Sequence, residues 1–283
     1  MGKIILSAFA DEYSAKTCEQ LAVLRQQNIP MLEPRFLDGK NISAMTTEEV
    51  KALKAQLDGI RISSIGSPLG KINLADDFNA HLELTRRVCE TANILQTPCV
   101  RMFSFYLHQG KSREDCRGEV IDKLGAMLDI ARSHNVTFCH ENEANIYGES
   151  PEQCLDLLKA FGGELKCVFD MGNFVLGGYK PYPEAYALLK DYIEYFHIKD
   201  ATFAGAIVPP GCGEGCIGDI LRAHAAETKN DVIATLEPHL MTFAGLDKLT
   251  DRRFDNPYVY ENEQTAFLAA VEHMRGVLKD AAE

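Results

Sequence analysis

The sequence predicts an α/β fold, a single (β/α)8 TIM barrel over residues 1–283. Short apolar, β-rich runs alternate with helical patterns eight times along the chain, and several runs end in polar side chains. A doubly wound open sheet would alternate in the same way. Such a sheet usually has a glycine-rich phosphate turn after its first strand, whereas SAFADE stands at that point here. The closed barrel is therefore favoured.

The strands are predicted from apolar and β-branched runs bounded by turn residues, and the helices from helical periodicity. The strands lie at about 3–9, 29–33, 60–65, 99–103, 136–140, 166–169, 193–198 and 232–236. The helices lie at about 14–27, 46–58, 77–96, 112–134, 151–160, 182–190, 217–228 and 261–279. Start signals agree, because Ser150 precedes Pro151 and Thr47 precedes Glu48 and Glu49. The longest irregular stretches, about 201–216 and 238–260, are candidate lids.

Composition excludes several classes of partner. The net charge is -12 and no Lys/Arg cluster is dense, which argues against nucleic acid. No apolar run approaches the roughly 20 residues that span a bilayer. Acidic residues follow the first apolar run too closely for a signal peptide. We therefore expect a cytoplasmic protein with a small-molecule partner, and buried reduced thiols at most of the nine cysteines. Cys212 and Cys216, spaced CxxxC, could alternatively bind a metal or form a disulfide, but the lack of a second pair disfavours this.

Four residues at the ends of consecutive predicted strands predict one metal site. They are Glu141 in CHEN, Asp170 in FDMGN, His197 in FHIKD and Glu237 in TLEPH, separated by 29, 27 and 40 residues. Taken singly, such an acid is usually solvated or a helix cap, and such a histidine is usually a core residue. Four together at strand ends of a barrel indicate a shared function.

The chemistry of these side chains indicates a hard divalent cation. Three carboxylates and one imidazole suit Mn²⁺, Mg²⁺ or Co²⁺ and tolerate Zn²⁺. Without an ion the carboxylates would repel one another and some would become protonated. Such a site leaves open positions at which a substrate carbonyl and a neighbouring hydroxyl can bind. The proton on the adjacent carbon would then become more acidic.

Other polar residues near strand ends are weaker candidates for substrate binding. Glu33 and Arg35 are expected to line the mouth of the barrel after the second strand, where Arg35 would clamp a substrate oxygen or anion or else form an internal ion pair. Lys199 would polarise a substrate or neutralise Asp200, and His239 would face the pocket or the solvent. The remaining candidates are Arg101, Ser104, His108 and, as a substitute for Glu141, Glu143.

These motifs resemble the xylose isomerase-like barrel superfamily, which includes tagatose and psicose 3-epimerases, hydroxypyruvate isomerase and inosose dehydratase. The resemblance covers nearly the whole chain and rests on VTFCHEN, VFDMGN, residues 197–200, the loop at 213–215 and IATLEP. It implies that one divalent ion, Mn²⁺ as the first choice, is held by Glu141, Asp170, His197 and Glu237. In the epimerases the two glutamates are also the catalytic acid-base pair. Many members have a histidine where Asn173 stands, so this residue is expected to bind substrate without shuttling protons.

The resemblance implies a metal-dependent sugar isomerase or epimerase that abstracts a proton next to a metal-bound carbonyl and works through an enediolate. The alternatives are a lyase or dehydratase on a keto-sugar, inosose or C-glycoside, and a sugar-binding barrel without turnover. An AP endonuclease is disfavoured because the chain is acidic and has only eight histidines. An unphosphorylated carbohydrate is preferred because Glu214 in the glycine-rich loop would oppose an anion. A homo-oligomer is a further expectation from the family.

Overall fold

Parallel strands form the centre of the molecule. The computed structural model describes residues 2–241 and 258–280. The strands are β1 Ile4–Ala8, β2 Met31–Leu32, β3 Phe36–Leu37, β4 Lys40–Asn41, β5 Arg61–Ile62, β6 Ile65–Gly66, β7 Cys99–Met102, β8 Thr137–Glu141, β9 Lys166–Asp170, β10 Ile193–Ile198, β11 Asp200–Ala201, β12 Ile207–Val208 and β13 Val232–Leu236. Seven of them form a curled sheet in the order β1-β13-β10-β9-β8-β7-β6.

The strands β2 and β5 complete the barrel. They pair in parallel, and the amide of Glu33 beyond β2 donates to the carbonyl of Ala8 in β1 at 3.1 Å. β5 and β6 occupy one barrel position that is interrupted at Ser63, whose carbonyl accepts a hydrogen bond from Thr97 Oγ1 at 3.0 Å. The predicted barrel is confirmed, and its second and third strands are shorter than predicted.

Helices follow the strands around the outside. They are α1 Thr17–Gln26, α2 Thr47–Gln56, α3 Phe78–Leu95, α4 Arg113–Ser133, α5 Pro151–Ala160, α6 Met171–Leu176, α7 Tyr186–Leu189, α8 Ile217–Glu227 and α9 Glu263–Asp280. Capping boxes begin three of them, at Thr46, Ser112 and Ser150. The helix predicted at 182–190 is shorter because Tyr182, the residue before Pro183, has an extended backbone.

Three short elements were not predicted. α6 begins directly after Asp170, whose side chain accepts a hydrogen bond from the amide of Asn173. Two antiparallel hairpins, β3/β4 and β11/β12, project beyond the barrel strands. The first turns at Asp38 and Gly39, which both have positive φ angles, as a two-residue hairpin turn requires. The Asp-Gly pair was the sequence signal for that turn.

The apolar core lies between the barrel and the helices, with a smaller cluster inside the barrel. The interior cluster consists of Cys99, Cys139, Val168 and Tyr195, on four adjacent strands. All nine cysteines are free, and Cys212 Sγ lies 3.4 Å from His273 Nδ1. No helix within the described ranges is long and apolar enough to cross a bilayer.

The two predicted lids differ in what the structure describes. The stretch 201–216 contains the β11/β12 hairpin and a glycine-rich loop. Of the stretch 238–260, residues 242–257 lie outside the described residues. The single domain over 1–283 stays a prediction.

Candidate metal centre

The period-two alternation of the strands places the four predicted ligands inside the barrel. Side chains two residues apart on a strand point to the same face. Glu141, Asp170 and His197 each follow an interior residue of the apolar cluster by two positions, so they extend the same interior rows. Glu237 follows the last residue of β13. All four are buried, and each offers a ligand atom within 4.8 Å of the others.

His197 lies at the middle of this group. Its Nδ1 is 3.1 Å from Glu141 Oε1 and 3.2 Å from Glu237 Oε2. Its Nε2 lies 3.2 and 3.3 Å from the two carboxylate oxygens of Glu33, which in turn accepts a hydrogen bond from Tyr195 at 2.8 Å. A carboxylate on one ring nitrogen is the usual way to orient a metal-binding imidazole and leave the other nitrogen for the ion.

The ligand atoms fit a divalent cation. His197 Nδ1 is fully buried and makes no hydrogen bond within the described part of the chain, although two carboxylate oxygens lie close to it. An imidazole nitrogen and several carboxylate oxygens that converge on one point form a typical site for a hard or borderline ion. The role of the four side chains as metal ligands stays a prediction.

Three cationic side chains surround the carboxylates. Arg101 Nη1 donates to Glu141 Oε2 at 2.8 Å, and Arg35 Nη1 donates to Glu237 Oε1 at 2.7 Å. Lys199 Nζ lies 3.0 Å from Asp170 Oδ2 and 3.4 Å from Glu237 Oε2. Arg35 also donates to Asp11 at 2.9 and 3.1 Å. These cations partly neutralise a cluster of acidic groups that burial would otherwise disfavour.

The acidic groups respond differently to this environment. Burial raises the pKa of Asp170 to about 7, although Lys199 lowers it. Burial also tends to raise the pKa of Glu141, but His197 and Arg101 hold it below its usual range. The pKa of His197 is well above its usual value because Glu141 and other carboxylates outweigh the effect of burial. In the absence of an ion the cluster therefore retains protons, which a cation would displace.

Asn173 holds these side chains in place. Its Nδ2 donates to the carbonyl of Asn142 at 2.9 Å and to Glu141 Oε1 at 3.3 Å, and its Oδ1 accepts a hydrogen bond from Lys199 at 3.2 Å. Gly172 allows α6 to pack against Lys199, because a Cβ at this glycine would lie 2.6 Å from Lys199 Cγ. The amide is therefore tied to two ionic groups, which is consistent with an orienting role.

The structure shows the ionic partners of Lys199 and Arg35, and the predicted partner of Lys199 is wrong. Lys199 does not neutralise Asp200, because it points into the centre towards Asp170. Asp200 instead accepts hydrogen bonds from four backbone amides of the following loop, between 2.8 and 3.0 Å. Arg35 forms internal ion pairs with Asp11, Glu12 and Glu237, which is the second of the two alternatives for this residue.

The other candidates differ in whether they lie beside the four predicted ligands. His239 lies at the centre, with Nε2 3.4 Å from Glu237 Oε1. Glu143 pairs with Lys71 at 3.0 Å, so Glu141 is the carboxylate at the centre. Ser104 forms a hydrogen bond with His140, and His108 forms one with Glu119. Neither residue contacts the four predicted ligands through these bonds.

Glu12, Glu237 and His239 form a second group of potential ligands. Arg35 donates to Glu237 at 2.7 Å and to Glu12 at 3.3 Å, so this group already contains a cation. Burial raises the pKa of Glu12 to about 8, although Arg35 lowers it. Cations also contact the group around His197, but that group offers four ligand side chains instead of three, so it is the better candidate for a metal ion.

Sequence reasoning missed several residues around the centre. Glu33 was expected only to line the mouth of the barrel, and Asp11, Glu12 and Tyr195 were not considered. The alternation in IEYFHI was a usable signal, since it places Tyr195 and His197 on the same face. No local pattern connects Glu33 with His197, because 164 residues separate them.

A family model described as the xylose isomerase-like TIM barrel matches residues 21–275. The chain belongs to this family. No curated protein matches this xylose isomerase-like barrel by sequence.

Several solved structures share the fold of this xylose isomerase-like barrel at low identity. D-psicose 3-epimerase of Clostridium cellulolyticum, solved with D-tagatose, is 14% identical with a TM-score of 0.72, and the match covers 97% of this chain and 99% of that one. The IOLI protein with a bound zinc atom is 14% identical with a TM-score of 0.74, over 98% and 99% of the two chains. The probable 3-DHS dehydratase AsbF of Bacillus anthracis is 18% identical with a TM-score of 0.67, over 83% and 92%.

Proposed function

We propose that this protein is a divalent-metal-dependent isomerase or epimerase that acts on a small carbohydrate. The observation that carries the proposal is the placement of Glu141 and Glu237. Their carboxylate oxygens lie 3.1 and 3.2 Å from the same nitrogen of His197, and they come from β8 and the end of β13, on either side of β9 and β10. Two carboxylates that approach one point from different strands suit a pair of groups that remove and return a proton.

Glu141, Asp170, His197 and Glu237 would hold one ion, with Mn²⁺ as the first choice and Mg²⁺, Co²⁺ or Zn²⁺ also suited to the donor set. When bound, the ion acts as a Lewis acid that polarises a substrate carbonyl. The zinc atom in the IOLI structure supports a metal in this type of barrel.

The side chains of the chain supply the proton transfers. One glutamate removes the proton on the carbon next to the carbonyl, giving an enediolate, and a carboxylic acid returns a proton. Return to the opposite face epimerises the substrate, and return to the neighbouring carbon isomerises it. The pKa values of Glu141 and Glu237 are both held below their usual range, for Glu237 by Lys199 and His239 against the effect of burial, so either can be the base. In an epimerisation the other glutamate must first take up a proton from solvent before it can return one to the opposite face. Lys199, Asn173, Arg35 and His239 would contact substrate oxygens or hold the two glutamates in position.

Elimination is the second candidate reaction. One of the similar structures is described as a probable dehydratase, and loss of water needs the same first proton abstraction. The products distinguish the two reactions, because elimination forms a dehydrated product and isomerisation forms an isomer of the same mass. A barrel that binds sugars without turnover would give neither product.

The test begins with the metal content of the purified protein, measured by elemental analysis. We expect about one ion per chain, loss of the ion in His197→Ala, and retention in His273→Ala, which removes an exposed imidazole from α9. A panel of keto-sugars in deuterated water should then include one that takes up deuterium at the carbon beside its carbonyl. A metal-free protein after reconstitution, or the absence of deuterium uptake across the panel, would contradict the proposal.

A further inference from the structure

A basic cleft of about 460 Å³ opens beside the metal centre. It lies between the β3/β4 hairpin and the segments that follow β6 and β7. Four of its eleven lining residues are cationic, namely Arg35, Lys40, Lys71 and Arg101, and no Asp or Glu is among the described residues that line it. The whole chain has a net charge of -12, so the cleft reverses the overall sign.

Two arginines contact both the cleft and the candidate metal centre. Arg35 and Arg101 line the cleft and also donate to Glu237 and Glu141, respectively. A substrate whose reacting carbon lies near the two glutamates would therefore extend another of its groups into the cleft. The proposed function places the reacting carbon there, and the present inference rests on that proposal.

Arg101 has an unused hydrogen-bond donor at this position. Its Nε is buried and makes no hydrogen bond within the part of the chain that the structure describes, while Nη1 is bound to Glu141. The residue is only 4% exposed. A buried donor without an acceptor is unfavourable, and a charged acceptor makes the strongest partner.

Lys71 supports the same acceptor position. Lys71 Nζ and the guanidinium carbon of Arg101 each lie 4.7 Å from the centre of the Phe103 ring, so the same cleft-lining ring contacts both cations. Lys71 is half-buried and pairs with Glu143 at 3.0 Å. Lys40 pairs with Glu49 at 2.6 Å in an exposed ion pair, which contributes little to any site.

We propose that the substrate carries an anionic group, a carboxylate or a phosphate, that binds in this cleft between Arg101 and Lys71. Structural ion pairs alone would explain Lys71 with Glu143, but they leave the Nε of Arg101 without an acceptor. The acidic Glu214, on which the expectation of an unphosphorylated substrate rested, does not line this cleft. Its carboxylate accepts a hydrogen bond from the amide of Phe203.

The test compares three ligands that differ only at carbon six: D-fructose, D-fructuronate and D-fructose-6-phosphate. Affinities are measured by isothermal titration calorimetry at low and at physiological salt, for the wild type, Lys71→Gln, Glu143→Gln and Lys51→Gln. Lys51 is exposed on α2 and serves as the matched loss of one positive charge. Deuterium uptake is recorded for the same samples.

We expect at least one anionic ligand to bind the wild type about tenfold or more tightly than D-fructose, as a charged hydrogen bond would produce. Lys71→Gln should remove most of this preference, Lys51→Gln should retain it, and Glu143→Gln should increase it because Lys71 loses its partner. Tighter binding of the fructuronate indicates a sugar acid, and tighter binding of the phosphate ester indicates a sugar phosphate.

Equal affinities for the three ligands, binding of none of them, or a preference that survives in Lys71→Gln would overturn the inference. Failure of the proposed function has a different signature. A charge preference without deuterium uptake supports the anionic site and contradicts the proton transfer, whereas uptake without a charge preference supports the proton transfer alone.

Discussion

Glu33 connects the buried interior of the barrel to the candidate metal centre. It accepts a hydrogen bond from Tyr195 and faces Nε2 of His197, so it determines which nitrogen of His197 faces the other carboxylates. A carboxylate in this position also makes the imidazole a stronger ligand. Glu33 therefore acts through His197 as a positioning residue.

We predict that Glu33→Gln lowers the affinity for Mn²⁺ by about 10- to 100-fold, the usual cost of losing a carboxylate behind a histidine ligand. Competition with a chelator of known affinity measures this change. Tyr195→Phe, which keeps Glu33 charged, should have a smaller effect. An unchanged affinity in Glu33→Gln would mean that His197 does not bind the ion.

The acid-base role of the two glutamates predicts a second result. Glu141→Gln and Glu237→Gln should each abolish deuterium uptake, because an amide cannot accept the proton at neutral pH. Glu114→Gln, which removes an exposed carboxylate from α4, should exchange normally. Normal uptake in either of the first two variants would remove that glutamate from the acid-base pair.

His81 predicts a pH dependence of stability that is independent of the metal. Its Nε2 accepts a hydrogen bond from the amide of Gly70 at 2.8 Å, which requires the neutral ring, and burial lowers its pKa to about 4. The unfolded chain, with a pKa near 6.5, binds this proton more readily. The contribution of neutral His81 to the free energy of unfolding is therefore fully present above about pH 6.5 and decreases as the pH is lowered towards 4.

At pH 5 the titration of His81 should lower the free energy of unfolding by about 2 kcal/mol relative to pH 7.5. His81→Gln keeps an acceptor for the Gly70 amide without the titration, so its stability should decline less over the same range. Urea denaturation at the two pH values measures the difference. Identical declines in the two proteins would show that His81 does not contribute.

At the scale of elements, Asp200 holds the loop that follows β10. Its two carboxylate oxygens accept hydrogen bonds from the amides of Ala201, Gly211, Gly213 and Gly215. A Cβ at Gly213 would lie 2.4 Å from Asp200 Oδ1, so only glycine allows this approach. The predicted glycine-rich lid is therefore tied to a buried acid next to the centre.

We predict that Asp200→Asn lowers the free energy of unfolding by about 3 kcal/mol, because its NH₂ group would face amide donors. Amide hydrogen exchange in residues 211–215 should increase in this variant. Asp219→Asn, which removes an exposed carboxylate from α8, should change neither property. Unaltered exchange in Asp200→Asn would contradict an anchoring role.

At the scale of the whole molecule, the centre joins strands that are distant in sequence. Carboxylates from β8, β9 and the end of β13 meet there, so their mutual repulsion acts against closure of the barrel. An ion that binds all of them only in the folded chain stabilises the whole barrel.

We therefore predict that a free Mn²⁺ concentration 100 times the Kd raises the free energy of unfolding by about 3 kcal/mol, and that a chelator reverses the effect. Thermal denaturation with and without the ion measures it. His197→Ala should lose most of this response, and His273→Ala should keep it. Equal stabilisation of both variants would place the ion elsewhere.

The barrel and the meeting of Glu141, Asp170, His197 and Glu237 could be predicted from the sequence because both depend on local patterns. Alternation along a strand determines which side chains share a face, and parallel strands end at the same edge of the barrel. Runs such as VTFCHE and KCVFD contain both kinds of information within a few residues. Asn173 was likewise predictable from its place beside Asp170.

Only the tertiary structure decided how the charges are paired. Lys199 follows His197 by two residues and lies next to Asp200 in the sequence, yet its ammonium group reaches Asp170 on another strand. Glu33 and Arg35 are close in sequence, but Glu33 faces His197 and Arg35 binds Glu237. Long flexible side chains can pair with any of the oppositely charged groups that closure of the barrel brings within reach. Sequence spacing therefore does not predict which of these pairs forms.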